Sequence, residues 1–143
     1  MNIDKSLLDQ LYETAKDSFD KEEIPVSAII INSKSNIIVS IAGNNRQGNN
    51  NVLGHAEINS ILDAEAKIGD WRLDGYYMIV TLEPCDMCSM VIKESRLDNV
   101  YYFLPRNQSS SYNILNNKHQ IEGYEEYKEK FNDLLTKFFN NMR

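Results

Sequence analysis

A chain of 143 residues, 42% hydrophobic and 25% charged, has the size and composition of one globular domain, so residues 1–143 are read as a single unit around one core. No apolar run nears the roughly eighteen residues that cross a bilayer, and Met1-Asn2-Ile3-Asp4-Lys5 lacks the basic and apolar regions of a secretory leader, which predicts a cytoplasmic protein without a membrane partner. The net charge of −6 argues against a broad nucleic-acid face, but residues 1–100 carry nine Lys/Arg against sixteen Asp/Glu and residues 101–143 six against five, which leaves room for a small one near the C-terminus.

Asp4 can cap a first helix over residues 5–20, where Leu8, Leu11, Ala15 and Phe19 recur at helical spacing. Pro25 closes the link that follows. Val26–Ile31 and Ile37–Ile41 are apolar, β-branched runs separated by Asn32-Ser33-Lys34-Ser35-Asn36, which predicts a hairpin. Gly43–Leu53 reads as a loop, long for a compact domain and therefore a candidate functional segment. Ile58, Ile61, Leu62 and Ala66 mark a second helix from near Gly54 to Gly69. Tyr76–Thr81 is a third strand. Pro84 suits the start of a third helix, which carries Met87, Met90, Val91 and Ile92 inward and stops near Arg96. Asn99–Phe103 is a fourth strand, in which Tyr101, Tyr102 and Phe103 must alternate between faces and read as sheet core. Pro105–Asn117 is polar and aperiodic. His119–Glu122 is a short fifth strand with His119 at an edge. Phe131, Leu134, Leu135, Phe138 and Phe139 stripe a last helix from Tyr124 to Met142; one of the paired phenylalanines is expected in the core and the other free. This order predicts an α/β fold with helices on both faces of one mixed, five-stranded sheet.

Both cysteines and one of the two histidines fall between Gly54 and Arg96. On the predicted map His55 and Glu57 lie on the first turn of the second helix, and Cys85 and Cys88 on the first turn of the third. A helix N-terminus favours thiolate over thiol. Cysteines at i and i+3 share a helical face. Two thiolates and an imidazole suit Zn²⁺, and three protein ligands leave one position for water, the arrangement of a catalytic rather than a structural zinc. Zinc lowers the pKa of water from ~15.7 to roughly 7. Glu57, two residues from His55, points away from the imidazole and is a candidate proton shuttle. Taken singly, each residue has a plainer reading: a capping histidine, a Cys-x-x-Cys redox pair, an ordinary core cysteine. The redox reading leaves His55 and Glu57 unexplained.

His55-Ala56-Glu57 followed by Pro84-Cys85-Asp86-Met87-Cys88 resembles the signature of the zinc-dependent nucleobase deaminases. The resemblance implies a three-layer α/β/α cytidine-deaminase-like fold and one zinc per chain on His55, Cys85 and Cys88. It also implies Glu57 as the residue that moves a proton from water to the base. The likeness is strongest to bacterial tRNA adenosine deaminases. Ile24-Pro25-Val26-Ser27-Ala28, Asp70-Trp71-Arg72-Leu73, Val80-Thr81-Leu82-Glu83-Pro84-Cys85, Ser95-Arg96 and Leu134-Leu135-Thr136-Lys137-Phe138-Phe139 resemble parts of that family, so the resemblance spans nearly the whole chain. It implies conversion of the wobble adenosine of a tRNA anticodon arm to inosine by a homodimer. Asn44, with Asn45 as a rival, would hydrogen-bond the base; the Ala56 N–H would read its edge; Val26, Leu82 and the 43–53 loop would form the walls. The chain departs from that family at Asn51-Val52-Leu53-Gly54, at Ser89-Met90 and at Leu104-Pro105-Arg106-Asn107-Gln108-Ser109. These changes lie on the substrate and partner sides of the site. A free guanine or cytosine-type base or nucleoside deaminase is the alternative enzyme. A silent deaminase-fold binding module is the alternative outside catalysis, against which the presence of Glu57 argues.

Overall fold

A computed structural model describes residues 1–107 and 113–142. Part of the polar 105–117 segment, including Gln108 and Ser109, lies outside the described residues. The elements in chain order are α1 (Lys5–Asp20), β1 (Ser27–Asn32), β2 (Ile38–Gly43), α2 (Ala56–Ile68), β3 (Tyr76–Leu82), α3 (Asp86–Ser95), β4 (Asn99–Leu104), β5 (Lys118–Gln120) and α4 (Glu125–Asn141). Each expected element is present, with ends moved by one or two residues. The fifth strand starts one residue earlier than expected and is shorter.

Local chemistry accounts for the boundaries. Asp4 Oδ1 accepts the Ser6 N–H at 3.2 Å and starts α1. Asn32 Oδ1 accepts the N–H groups of Lys34 and Ser35 at 2.9 and 3.1 Å, and turns the chain from β1 into β2. Gly69, at φ 78°, ends α2 in the left-handed region.

The sheet order is β2-β1-β3-β4-β5. β1 lies antiparallel to both β2 and β3, while β3–β4 and β4–β5 are parallel. β1 is covered on both faces, which is why Ser27 to Ile31 are all buried and the run does not alternate in polarity. Ala28, Ile30, Met78, Val80 and Val100 face Ala56, Ile61 and Ala64 of α2 and Ile92 of α3. Ile29, Ile31, Ile79 and Phe103 face Leu8 and Leu11 of α1 and Phe131 of α4. The result is the expected α/β/α sandwich. Tyr101 and Phe103 go to one face and Tyr102 to the other, as alternation requires.

Met90, expected to face inward, does not, and two of the apolar residues that mark α2 also lie outside. Leu62 on α2 is 59% exposed and Met90 on α3 51% exposed, and Ala66 is exposed as well. The apolar stripe of each helix is wider than the strip that meets the sheet, so its margin remains outside. At the end of α4 neither phenylalanine enters the core: Phe138 is half-buried, Phe139 is exposed, and the two rings meet edge to face at 5.4 Å. His119 sits at the sheet edge with Nε2 3.0 Å from Asn99 Oδ1.

Candidate active site

His55 and Cys85 are the N-cap residues of α2 and α3, one position earlier than the first-turn placement expected from the sequence. Both have extended backbone, φ −85° and −71°, and neither side chain caps its own helix. Each is turned sideways instead, toward the other helix. The His55 Nδ1 lies 3.4 Å from Cys88 Sγ and 3.7 Å from Cys85 Sγ. The three ligand atoms all fall within 4.8 Å of one another, and both cysteines are free thiols.

These separations fit a tetrahedral ion. A nitrogen ~2.05 Å and a sulfur ~2.3 Å from one Zn²⁺ at a tetrahedral angle stand about 3.6 Å apart. The donor set and its spacing therefore match a metal held by one imidazole and two thiolates. The protons are already arranged toward that end. Cys85 is held down to about 5, chiefly because the Cys88 thiol hydrogen-bonds to it. Cys88, which gives that proton and is itself buried, is pushed up. The pair thus favours ionisation at Cys85, and a cation placed between the sulfurs would favour loss of the Cys88 proton as well.

Glu57 stands on the first turn of α2 and is only 5% exposed. Burial raises its carboxyl to about 7, and the negative charge at Cys85 adds to the effect. Its own backbone N–H, the positive charge of Arg106 and the Cys88 thiol oppose it. The group therefore sits beside the donors, near a pKa from which a proton can be taken or given at neutral pH.

The start of α2 lacks a cap from His55 and receives one from elsewhere. Asn44, buried, accepts the Ala56 N–H on its Oδ1 at 2.7 Å. Two residues expected to meet a base therefore meet each other. Asn44 is held in turn through its carbonyl, which accepts the Ser18 hydroxyl at 3.1 Å, and through its N–H, which donates to the Val26 carbonyl at 3.3 Å. The rival Asn45 spends its Oδ1 on the Asn59 amide at 2.7 Å. Val26 is buried in the core beside Ala56, whereas Leu82 is half-buried and lines a groove that runs past Arg106.

Two groups near the site are not evident from motif spacing. The buried Glu23 carboxylate accepts the N–H groups of Gln47 and Gly48 at 3.0 and 2.8 Å, pinning the 43–53 loop. Glu83, inside the quoted run before Cys85, bonds to Arg106 and Lys118. For Glu83 the available signal was an acidic residue directly after an apolar strand; for Glu23, an acidic residue in the short link before one.

A fold with this donor set at two adjoining helix starts is that of the zinc-dependent deaminases. Residues 1–104 match the family described as the cytidine and deoxycytidylate deaminase zinc-binding region, and the chain belongs to that family. It is 40% identical over 95 residues to a tRNA-specific adenosine deaminase of Rickettsia felis, covering 66% of each chain. It is 30% identical over 151 residues to a tRNA-specific adenosine deaminase of Bacillus subtilis, covering 100% of this chain and 92% of that one. The aligned segment spans 61% to 66% of the length of three rickettsial relatives. A solved structure from work on A-to-I editing by tRNA:A34 deaminases superposes with a TM-score of 0.80 at 23% identity, covering 92% of this chain and 100% of that one, a likeness of fold. A guanine deaminase of Bacillus subtilis superposes with a TM-score of 0.66 at 27% identity, covering 73% and 66%.

Proposed function

We propose that the chain, acting as a single domain over residues 1–143, hydrolytically deaminates adenosine to inosine at the wobble position of a tRNA anticodon. One zinc ion per chain would be held by His55, Cys85 and Cys88. The observation that carries the reading is the trio of Nδ1 and two Sγ atoms at tetrahedral spacing with the buried Glu57 carboxyl beside it. Zinc, when bound, supplies a Lewis acid that makes water nucleophilic near neutral pH. Glu57 accepts a proton from that water and delivers it to the ring nitrogen of the base. A second transfer through Glu57 protonates the exocyclic amine, so that a C–O bond replaces the C–N bond and ammonia leaves. Asn44 orients the base. Its carbonyl end is committed to Ala56, so the NH₂ end of the amide is the donor offered to substrate, and Ala56 acts by holding Asn44 rather than by reading the base edge. Leu82, with the loop pinned by Glu23, supplies the walls; Val26 supports them from the core.

The assembly assigned to this activity is a homodimer. Support comes from the exposed Leu62 and Met90 and from an apolar recess of about 400 Å³ between Asp86, Met87, Met90 and Ile114. A cytoplasmic location agrees with free thiols at Cys85 and Cys88. No helix among the described residues is long and apolar enough to cross a membrane.

A second reading, deamination of a free base such as guanine, draws on the guanine deaminase likeness and on the net charge of −6, which needs no phosphate partner. One experiment separates the two. The purified zinc-loaded protein is offered an anticodon stem-loop with adenosine at the wobble position, and in parallel free guanine, adenosine and cytosine. Inosine in the RNA, with the free compounds untouched, is the expected outcome. Turnover of a free base alone overturns the proposal.

A further inference from the structure

The end of β3 and the end of β4 are tied together by one side chain. Glu83 follows β3 directly, and its N–H donates to the Leu104 carbonyl at 2.8 Å. Its carboxylate faces two groups. Oε1 accepts the Arg106 N–H at 3.1 Å, and Oε2 pairs with the Lys118 ammonium at the start of β5. The Glu83 carbonyl accepts the Nε–H of Arg106 at 2.9 Å. Arg106 is thus held at its main chain and at its Nε–H, which restrains an exposed side chain that would otherwise sweep through solvent. The Glu83–Lys118 pair is itself mostly shielded, the two side chains being 21% and 26% exposed. Restraint of this kind on a surface arginine needs a reason.

Its position supplies one. Arg106 is close enough to the site for its charge to act on Glu57 and Cys85. It lines a groove of about 500 Å³ with Leu82, Leu104, Asn132, Thr136 and Phe139. In a chain of net charge −6, a cation held to Glu83, two residues before Cys85, is where a polyanion would be received. A guanidinium carries five N–H donors in a planar fork that matches a phosphate, and among the described residues one of them, the Nε–H, is committed, to the Glu83 carbonyl.

We propose that Arg106 contacts a phosphodiester of the RNA strand entering the site, and that Glu83, braced by Lys118, is the positioning residue that aims it. The inference rests on the RNA reading above and names a contact within it.

Binding of a fluorescent anticodon stem-loop is measured against salt concentration in the zinc-loaded Glu57→Ala background, which removes turnover from the measurement. Deamination by the otherwise native enzyme is followed in parallel. Arg106→Ala should weaken binding about tenfold at moderate salt and reduce the slope of log affinity against log salt by about 0.7 to 0.9. Lys34→Ala, on the β1–β2 turn, removes the same charge and should leave the slope unaltered. Glu83→Gln should raise KM about threefold or more with kcat within about twofold, and its zinc content should match the parent's. Because Arg106 is exposed, Arg106→Ala remains a fair test if Glu83→Gln folds poorly. A slope for Arg106→Ala equal to that of Lys34→Ala overturns the proposal, as does a Glu83→Gln effect confined to kcat, and so does failure of the parent to bind RNA. If the RNA is bound with the expected slopes but never deaminated, the contact stands and the adenosine reading falls. If the RNA is deaminated and the slopes are equal, only the contact falls.

Discussion

The Oδ1 of Asn44 accepts the N–H of Ala56 at 2.7 Å, so the first free amide of α2 is capped by a residue from the preceding loop. His55 occupies the N-cap position but turns its ring to the sulfurs. Asn44→Ala removes a buried acceptor and should cost about 1 kcal/mol, close to 3 °C in Tm. Asn44→Asp keeps the acceptor and loses the NH₂ donor. It should retain most of the stability while kcat/KM drops at least tenfold, in line with about 1.4 kcal/mol for a lost substrate hydrogen bond. Thermal melts beside steady-state kinetics check both; equal activity in Asn44→Asp and the parent removes Asn44 from substrate binding.

Glu57→Gln should keep its zinc and its melting curve, since the amide has nearly the same shape in a site where the carboxyl is buried. Its kcat should fall by about 10² to 10⁴, the usual contribution of a proton-transfer group. Metal analysis with single-turnover kinetics decides the matter.

Cys88→Ala should behave in the opposite way. Cys88 is fully buried and is one of three donors, so its loss breaks the metal site and leaves a hole between α3 and the sheet. Zinc content well below one per chain is expected, and added chelator should no longer shift the melt. Stoichiometric zinc in this variant contradicts the assigned ligand set.

The titration of Glu57 should appear in the protons released when zinc binds. In the metal-free protein, burial raises the carboxyl to about 7, so at pH 6 it is mostly protonated and at pH 8 mostly ionised. A cation beside it favours the ionised form, so binding should expel this proton at pH 6 and have little to expel at pH 8. The parent should therefore release about one more proton than Glu57→Gln at pH 6 and nearly the same number at pH 8. Calorimetry in buffers of different ionisation enthalpy gives the count. A difference that grows from pH 6 to pH 8 contradicts the sign.

Gly54 is required for its lack of a side chain. A Cβ there would sit 2.7 Å from both the N and Cα of Arg46 and 2.8 Å from Asn45 Oδ1. The main-chain bond from the Asn45 N–H to the Gly54 carbonyl, at 2.9 Å, holds the two strands of the loop at that separation. Gly54→Ala should cost about 1 to 3 kcal/mol through displaced backbone. Because the loop carries Asn44, activity should fall as well. Urea melts and kinetics provide the measurement.

The local pattern of the sequence determined a good deal. The β-branched runs mark the strands, and the 3.6-residue stripes mark the helices. The Cys-x-x-Cys spacing puts two sulfurs on one helical face, and His-Ala-Glu places a carboxylate near an imidazole without aiming both at one point. Those features depend on side-chain direction over a turn or two of backbone, which residue order specifies. Tertiary structure decided what belongs to long-range pairing. Thirty residues separate His55 from Cys85, and they meet because β1 lies between β2 and β3 and draws the starts of α2 and α3 together. The same pairing brings Asn44 onto Ala56, Glu23 under the 43–53 loop and Glu83 onto Arg106 and Lys118. It also leaves Leu62 and Met90 outside, since an apolar stripe records that a helix has a preferred face but not how wide a strip its neighbours will cover.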